Sequence, residues 1–131
     1  MPITALYASA LAVLFVGLAV RVIAGRRGAG VALGDGGDMI LLRRQRVHAN
    51  FAEYVPFALL LLGLAESLAT AALLLHALGL GLLAGRIVHA VGVSRTPERM
   101  ALRVTGMAIT FTVLLVAAAA CLVGALVAHR A

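Results

Sequence analysis

Four long apolar stretches, separated by three short polar links, account for nearly the whole chain. The first runs from Ile3 to Ala24 and carries no charge before Arg21. The second, Met39 to Ser67, holds its polar residues at its start. The third, Ala69 to Val93, is polar only near its end, at Arg86 and His89. The fourth, Met100 to Ala128, has no charge after Arg103. A membrane-spanning helix needs about 20 mostly apolar residues, so each stretch predicts one span. Only helices and closed barrels satisfy the backbone in lipid, and no two-residue alternation of a barrel strand is present.

The links differ in kind. "GRRGAGVALGDGGD" (Gly25 to Asp38) reads as a Gly-rich loop, with Asp38 placed to cap the second helix just before "MILL". "ESLAT" (Glu66 to Thr70) leaves room only for a tight hairpin, and Glu66 marks the membrane interface there. "SRTPERM" (Ser94 to Met100) contains Pro97, which suits a break before the fourth helix. Gly79, Gly81 and Gly85 mark the third helix for close packing. The predicted fold is an all-α membrane protein, one domain over residues 1–131, folded as a four-transmembrane-helix bundle.

Composition agrees: 63% of the 131 residues are hydrophobic and the mean hydropathy is +1.10, whereas a soluble domain is about half apolar. The formal charge is +6, and its 11 basic residues are all Arg. That usage fits a bacterial genome rich in G and C. A basic chain can signal nucleic acid, but no basic soluble module accompanies the arginines, so none is expected as a partner. Arg21, Arg26, Arg27, Arg43, Arg44 and Arg46 flank the first link, Arg86, Arg95, Arg99 and Arg103 the third, and none the second. The positive-inside rule puts both Arg-rich links in the cytoplasm of a bacterial inner membrane; His129 and Arg130 at the other end weaken this only slightly. No cleavable signal is expected, since the first stretch is long enough to span and lacks a basic start. The single cysteine, Cys121, excludes an intrachain disulfide, and no metal-ligand spacing is present.

The start of the second helix holds the candidate chemistry. At about 100° per residue, Arg43, Arg46, Asn50, Glu53 and Phe57 fall within a sector of about 80°, with Tyr54 beside it. Arg44, Gln45 and His48 point elsewhere. Arginines at a membrane surface snorkel to head groups, which explains Arg43 and Arg44. It does not explain Asn50 and Glu53, because a carboxylate inside a span costs about 3 kcal/mol on insertion scales unless it meets a partner or a polar cavity. From the residues alone two readings stay open. Glu53 forms a structural ion pair with Arg46 or Arg103, or the stripe is a ligand site. Guanidiniums suit carboxylates, Glu53 suits an ammonium, and Asn50 donates and accepts, so the ligand would be a small zwitterion with several carboxylates.

At "RVHANFAEYVP" the chain resembles the MAPEG family, the membrane-associated proteins of eicosanoid and glutathione metabolism. Arg46, Asn50 and Glu53 reproduce the family's Arg-x-x-x-Asn-x-x-Glu signature. Glu53, Tyr54 and Pro56 resemble the ending found in its leukotriene-C synthase branch. The resemblance implies a homotrimer of four-helix protomers with glutathione between subunits at the cytoplasmic side. It implies that Arg46 takes a carboxylate, Glu53 the γ-glutamyl ammonium, and that Asn50 and Tyr54 bond the peptide. Arg86 and His89 would line the same site. Arg103 would stabilise the thiolate, with Arg99 the alternative, and Arg21 or Arg26 would reach a neighbour's glutathione. The implied activity is a glutathione-dependent transferase or peroxidase acting on lipophilic electrophiles or hydroperoxides from the bilayer, with glutathione as co-substrate and no metal. Val93 stands where the family often has Tyr, Ala49 where the prostaglandin E synthase branch has Arg, and no Tyr follows Arg103. These departures leave the second substrate open. The alternatives are a non-catalytic member of the fold that binds a partner or lipid, and a small proton-coupled exporter. The exporter would need a carboxylate in the middle of a span, which the first helix lacks.

Overall fold

The computed structural model describes residues 1–129 and has four α-helices: α1 (Pro2–Ala29), α2 (Met39–Ser67), α3 (Ala72–Ser94) and α4 (Met100–Ala128). Arg130 lies outside the described residues. Each helix is long and apolar enough to cross a membrane. The bounds of α2 and α4 are those the hydropathy pattern predicts. Two others move. Gly25 to Ala29, expected in the first loop, form the last turns of α1. Arg26 and Arg27 sit in that final turn, where cations meet the negative end of the helix dipole. The third helix begins at Ala72 rather than Ala69. Ala69 takes a left-handed conformation (φ 59°), and Thr70 N–H donates to Ala65 O at 3.1 Å, closing the hairpin.

Two carboxylates fasten helix starts. Asp38 caps α2, accepting from Ile40 N at 2.8 Å and Leu41 N at 3.2 Å. Glu66, at the far end of α2, accepts from Ile3 N at 3.0 Å, Thr4 N at 2.8 Å and the Thr4 hydroxyl at 2.6 Å. The first turn of a helix has N–H groups with no partner of their own. Glu66 supplies acceptors for two of them and so ties α1 to α2.

α2 and α3 each pack on all the other helices, whereas α1 and α4 do not pack on each other. The core is aliphatic, with Leu11 and Leu18 from α1, Val47, Val55 and Leu62 from α2, Leu75 and Leu82 from α3, and Val113 and Ala117 from α4. Off the polar stripe, His48 stacks on Phe15 with ring centroids 4.7 Å apart, and His76 shares a hydrogen bond of 3.1 Å with the Tyr7 hydroxyl. The most intimate contact joins α3 to α4. A Cβ on Gly106 would lie 2.6 Å from His89 N, and one on Gly92 would lie 2.6 Å from Arg103 N. Small residues let two backbones touch where lipid supplies no hydrophobic drive. The contact sets the start of α4 against the end of α3, which fixes where Arg103 and His89 emerge.

This geometry separates two glycine substitutions. Gly106→Ala puts a methyl into the α3 backbone and is expected to lower stability by about 1–3 kcal/mol. Gly17→Ala meets nothing within 4 Å and is expected to raise stability by up to ~1 kcal/mol through helix propensity. Thermal unfolding followed by circular dichroism in mild detergent checks both; equal effects would contradict the close approach.

Candidate functional site

Polar side chains collect at the end of the bundle where α2 begins and α3 ends. Arg43, Arg46 and Asn50 stand three and four residues apart on α2, so they share a face. His89 comes from α3, Arg103 from α4 and Glu98 from the link between them. Together they line a recess of about 200 Å³, with Met39, Leu42 and Val93 as its apolar part. Arg43 Nη1 donates to Val93 O at 3.2 Å and to Glu98 Oε2 at 3.3 Å. Arg103 Nη1 donates to the other oxygen, Glu98 Oε1, at 2.9 Å. One carboxylate therefore joins α2 to α4. The hydrogen bond from Arg103 holds the Glu98 carboxyl below its ordinary range, and the nearby Arg43 charge adds to this. Arg46 is exposed on the single chain, and its guanidinium has no ion pair among the described residues.

Behind this wall lies Arg86, 1% exposed. Its Nη2 donates to Asn50 Oδ1 at 2.7 Å and lies 3.2 Å from His89 Nδ1. Its Nη1 lies 3.7 Å from the Met107 sulfur, and its Cζ sits 5.8 Å from the centre of the Phe51 ring. Its Nε has no partner among the described residues. A buried charge is costly unless it is paired or fully hydrogen-bonded, and here neutral acceptors and an aromatic face do the holding. Guanidinium only donates. Asn50 Oδ1 is thus spent on Arg86, leaving the amide NH2 free. His89 Nδ1 accepts, so the imidazole proton falls on Nε2, an assignment made from donor logic. Both residues line the recess, so apart from Glu98 its polar wall consists of hydrogen-bond donors.

The structure thus brings together four of the predicted residues, Arg46, Asn50, His89 and Arg103, with Arg86 directly behind them. The others lie elsewhere. Tyr54 meets Phe111 edge-on, with centroids 5.6 Å apart. Glu53 is exposed on the single chain and takes neither ion-pair partner that the sequence offered, since Arg103 pairs with Glu98. Arg21 Nη2 donates to Ser94 Oγ at 3.2 Å, and Arg26 Nη1 to Ala32 O at 3.1 Å, bracing the first link. Two residues of the recess were missed. Arg43 belonged to the stripe but was explained as an interfacial arginine. Glu98 sits in a link, where no helical period marks a face; its only signal is a lone acid among arginines. Four grooves are larger than the recess and mostly apolar, two of them of about 590 and 630 Å³. Arg21 and Arg95 are among the residues lining the 630 Å³ groove.

A profile of the MAPEG family matches residues 4–123, which takes in α2, α3, most of α1 and α4, and every residue of the recess. The chain belongs to the MAPEG family. Inner membrane protein YecN of Escherichia coli strain K12 is 35% identical over 113 residues, covering 86% of this chain and 85% of the relative. The protein of the same name from a second Escherichia coli strain is equally similar. No solved structure matches the chain. This MAPEG protein is a multi-pass protein of the bacterial inner membrane.

Asn50 tests the buried network. Asn50→Leu removes the short acceptor from Arg86 and is expected to cost about 1–3 kcal/mol. Asn50→Asp keeps an acceptor, adds a counter-charge and is expected to hold the melting temperature of the wild type. Thermal unfolding in detergent separates the two; an Asn50→Leu protein as stable as the wild type would show that Arg86 does not depend on this bond.

Proposed function

We propose that this MAPEG protein is a glutathione-dependent membrane transferase or peroxidase, with glutathione or a similar thiol as co-substrate. The observation that carries this reading is the recess itself: donors from α2, α3 and α4 converge there with an excess of guanidinium. Such a wall suits a ligand that brings carboxylates and a thiolate. Arg46 takes a carboxylate and Asn50 donates to the peptide. Arg103 faces the sulfur, with His89 beside it. A thiol is a weak nucleophile until ionised, and a guanidinium in a low-dielectric site favours the thiolate. The thiolate then attacks an electrophile, or reduces a hydroperoxide, that arrives dissolved in the bilayer.

The recess of about 200 Å³ falls below the roughly 300–1,000 Å³ of ordinary small-molecule pockets. It holds part of a tripeptide, and the rest lies against a neighbour. Glu53 and Arg46 are exposed on the single chain, and a carboxylate facing lipid is costly. A homotrimer meets both demands. In it Glu53 takes the ammonium, Tyr54 bonds the peptide, and Arg21 or Arg26 reaches in from the adjacent protomer. The Arg-rich links support a cytoplasmic position for this end of the bundle, on the side where glutathione is supplied. A second reading, a non-catalytic member of the family that binds a lipid or a partner protein, draws support from Val93. It presents an aliphatic side chain to the recess where the family often has a tyrosine.

Native mass spectrometry from mild detergent is expected to show three chains, and cysteine labels at Gly30 and Ser94 to react only from the cytoplasmic side. Glu53→Gln is expected to weaken glutathione binding by about 1.5–3 kcal/mol, the worth of one charge-assisted contact. Arg103→Ala is expected to leave much of the binding in place but raise the pKa of the bound thiol. Ultraviolet absorbance of the thiolate, and turnover with an aryl electrophile, would fall together. Binding without turnover in the wild type would favour the non-catalytic reading; loss of turnover in Arg99→Ala but not in Arg103→Ala would move the thiolate partner one helical turn.

A further inference from the structure

The carboxylate in the recess has no role in the reading above, and its position conflicts with a ligand. Glu98 Oε1 lies 2.9 Å from Arg103 Nη1, and its Oε2 3.3 Å from Arg43 Nη1. It spans two guanidiniums as a bound carboxylate or sulfate would. We propose that Glu98 is a specificity-determining residue: it occupies the anion subsite formed by Arg43 and Arg103, and a ligand's anionic group bridges the Nη1 groups of these two arginines only by displacing it. The proposal deepens the glutathione reading, but only its peptide probes rest on that reading.

Three features make displacement feasible. The side chain of Glu98 is 22% exposed, so its carboxylate can turn out to water without opening the core. The backbone beside it stays fixed, because Arg99 N–H donates to Gly92 O at 3.2 Å. The charged and titratable groups lining the recess with Glu98 are Arg43 and Arg46 from α2, His89 from α3 and Arg103 from α4. Three guanidiniums against one carboxylate leave two positive charges in excess while Glu98 is in place. Arg46 is open to a first anionic group, and a second must compete with Glu98 for Arg103. The recess therefore discriminates by anion strength and number. A ligand with one weak anionic group settles on Arg46 alone, whereas one with two strong groups displaces the carboxylate. The competing role is a strut that merely holds Arg103 in position, and it predicts the opposite sign: removing the charge would loosen Arg103 and weaken anion binding.

The test compares wild type and Glu98→Gln, both as full chains in mild detergent, by calorimetric titration. The probes are inorganic sulfate, glutathione sulfonate, which carries an anion in place of the thiol, and S-methylglutathione, which is neutral there. Sulfate and glutathione sulfonate are expected to bind Glu98→Gln about tenfold more tightly, in line with release of a charge-assisted contact. S-methylglutathione is expected to change by less than about twofold, because it brings no anion to Arg103. Unchanged or weaker sulfate binding overturns the proposal. Tighter sulfate binding with no binding of either peptide by either protein upholds Glu98 and refutes the glutathione reading. Should Glu98→Gln fail to fold, Glu98→Asp replaces it. The shorter side chain cannot reach both guanidiniums, and sulfate is expected to bind about threefold more tightly; an unchanged affinity overturns the proposal.

Discussion

A guanidinium buried inside a membrane bundle with no carboxylate bonded to it is the constraint on which the polar end of this protein depends. Arg86 lies on α3, facing inward, and its shortest bond is the 2.7 Å contact to Asn50 Oδ1 on α2. Its other neighbours are a histidine nitrogen, a methionine sulfur and the face of Phe51. Each was chosen by what a guanidinium needs from neutral surroundings. The choice has consequences outward. With its oxygen engaged, Asn50 has only its NH2 left for the recess, and His89, accepting at Nδ1, has only Nε2–H. A charge that never reaches the surface thus fixes the polarity of the wall in front of it, and an acceptor-rich ligand is the kind that wall can bind.

The second requirement is geometric. Arg103 reaches this wall because α3 and α4 touch through backbone at Gly92 and Gly106. A larger residue at either position would push the start of α4 outward and Arg103 with it. The two ends of the bundle use their charges differently. At the far end Glu66 spends its carboxylate on the free N–H groups of α1, a purely structural use that fastens the helix least covered by the others. At the recess Glu98 bonds only arginine side chains, which a ligand can also contact. An acid that satisfies backbone has no alternative partner in lipid, whereas an acid that satisfies exposed guanidinium competes with every anion in the surrounding water.

The sequence made the helices and one face of the site legible, and it did so because membrane patterning is a local signal. Four apolar runs bounded the spans, and 100° steps put Arg46 and Asn50 on one face of α2 before any packing was known. Asp38 was readable as a cap for the same reason: a cap acts on the next few residues. Whatever depends on another helix was not readable. That Arg86 sits behind Asn50 rather than beside it follows from how α3 is rotated in the bundle. That Glu98 meets Arg43 across 55 positions of sequence follows from the turn between α3 and α4. The helical extension of α1 through Arg27 was misread because glycines at 25 and 28 suggested a loop, while the dipole and the terminal arginines favoured helix. The family signature picked out Arg46 and Asn50, which line the recess, but not this arrangement, since a motif on one helix carries no information about the link that folds back over it.

Glu53 marks the point where a single chain stops explaining itself. On α2 it follows Asn50 by less than one turn, yet it faces outward while Asn50 faces Arg86. A helix that presents an acceptor to its own core and a carboxylate to its outside is built for two environments at once. Lipid is not a tolerable second environment for a carboxylate, and a polar neighbour is. On the proposed reading that neighbour is another protomer with a zwitterionic peptide wedged between them. The anionic end would point into the recess of one chain and the ammonium would rest on the outer face of the same helix. The two faces of α2 would then read the two charge types of one ligand, and Asn50, on the inward face, would be the hinge between them.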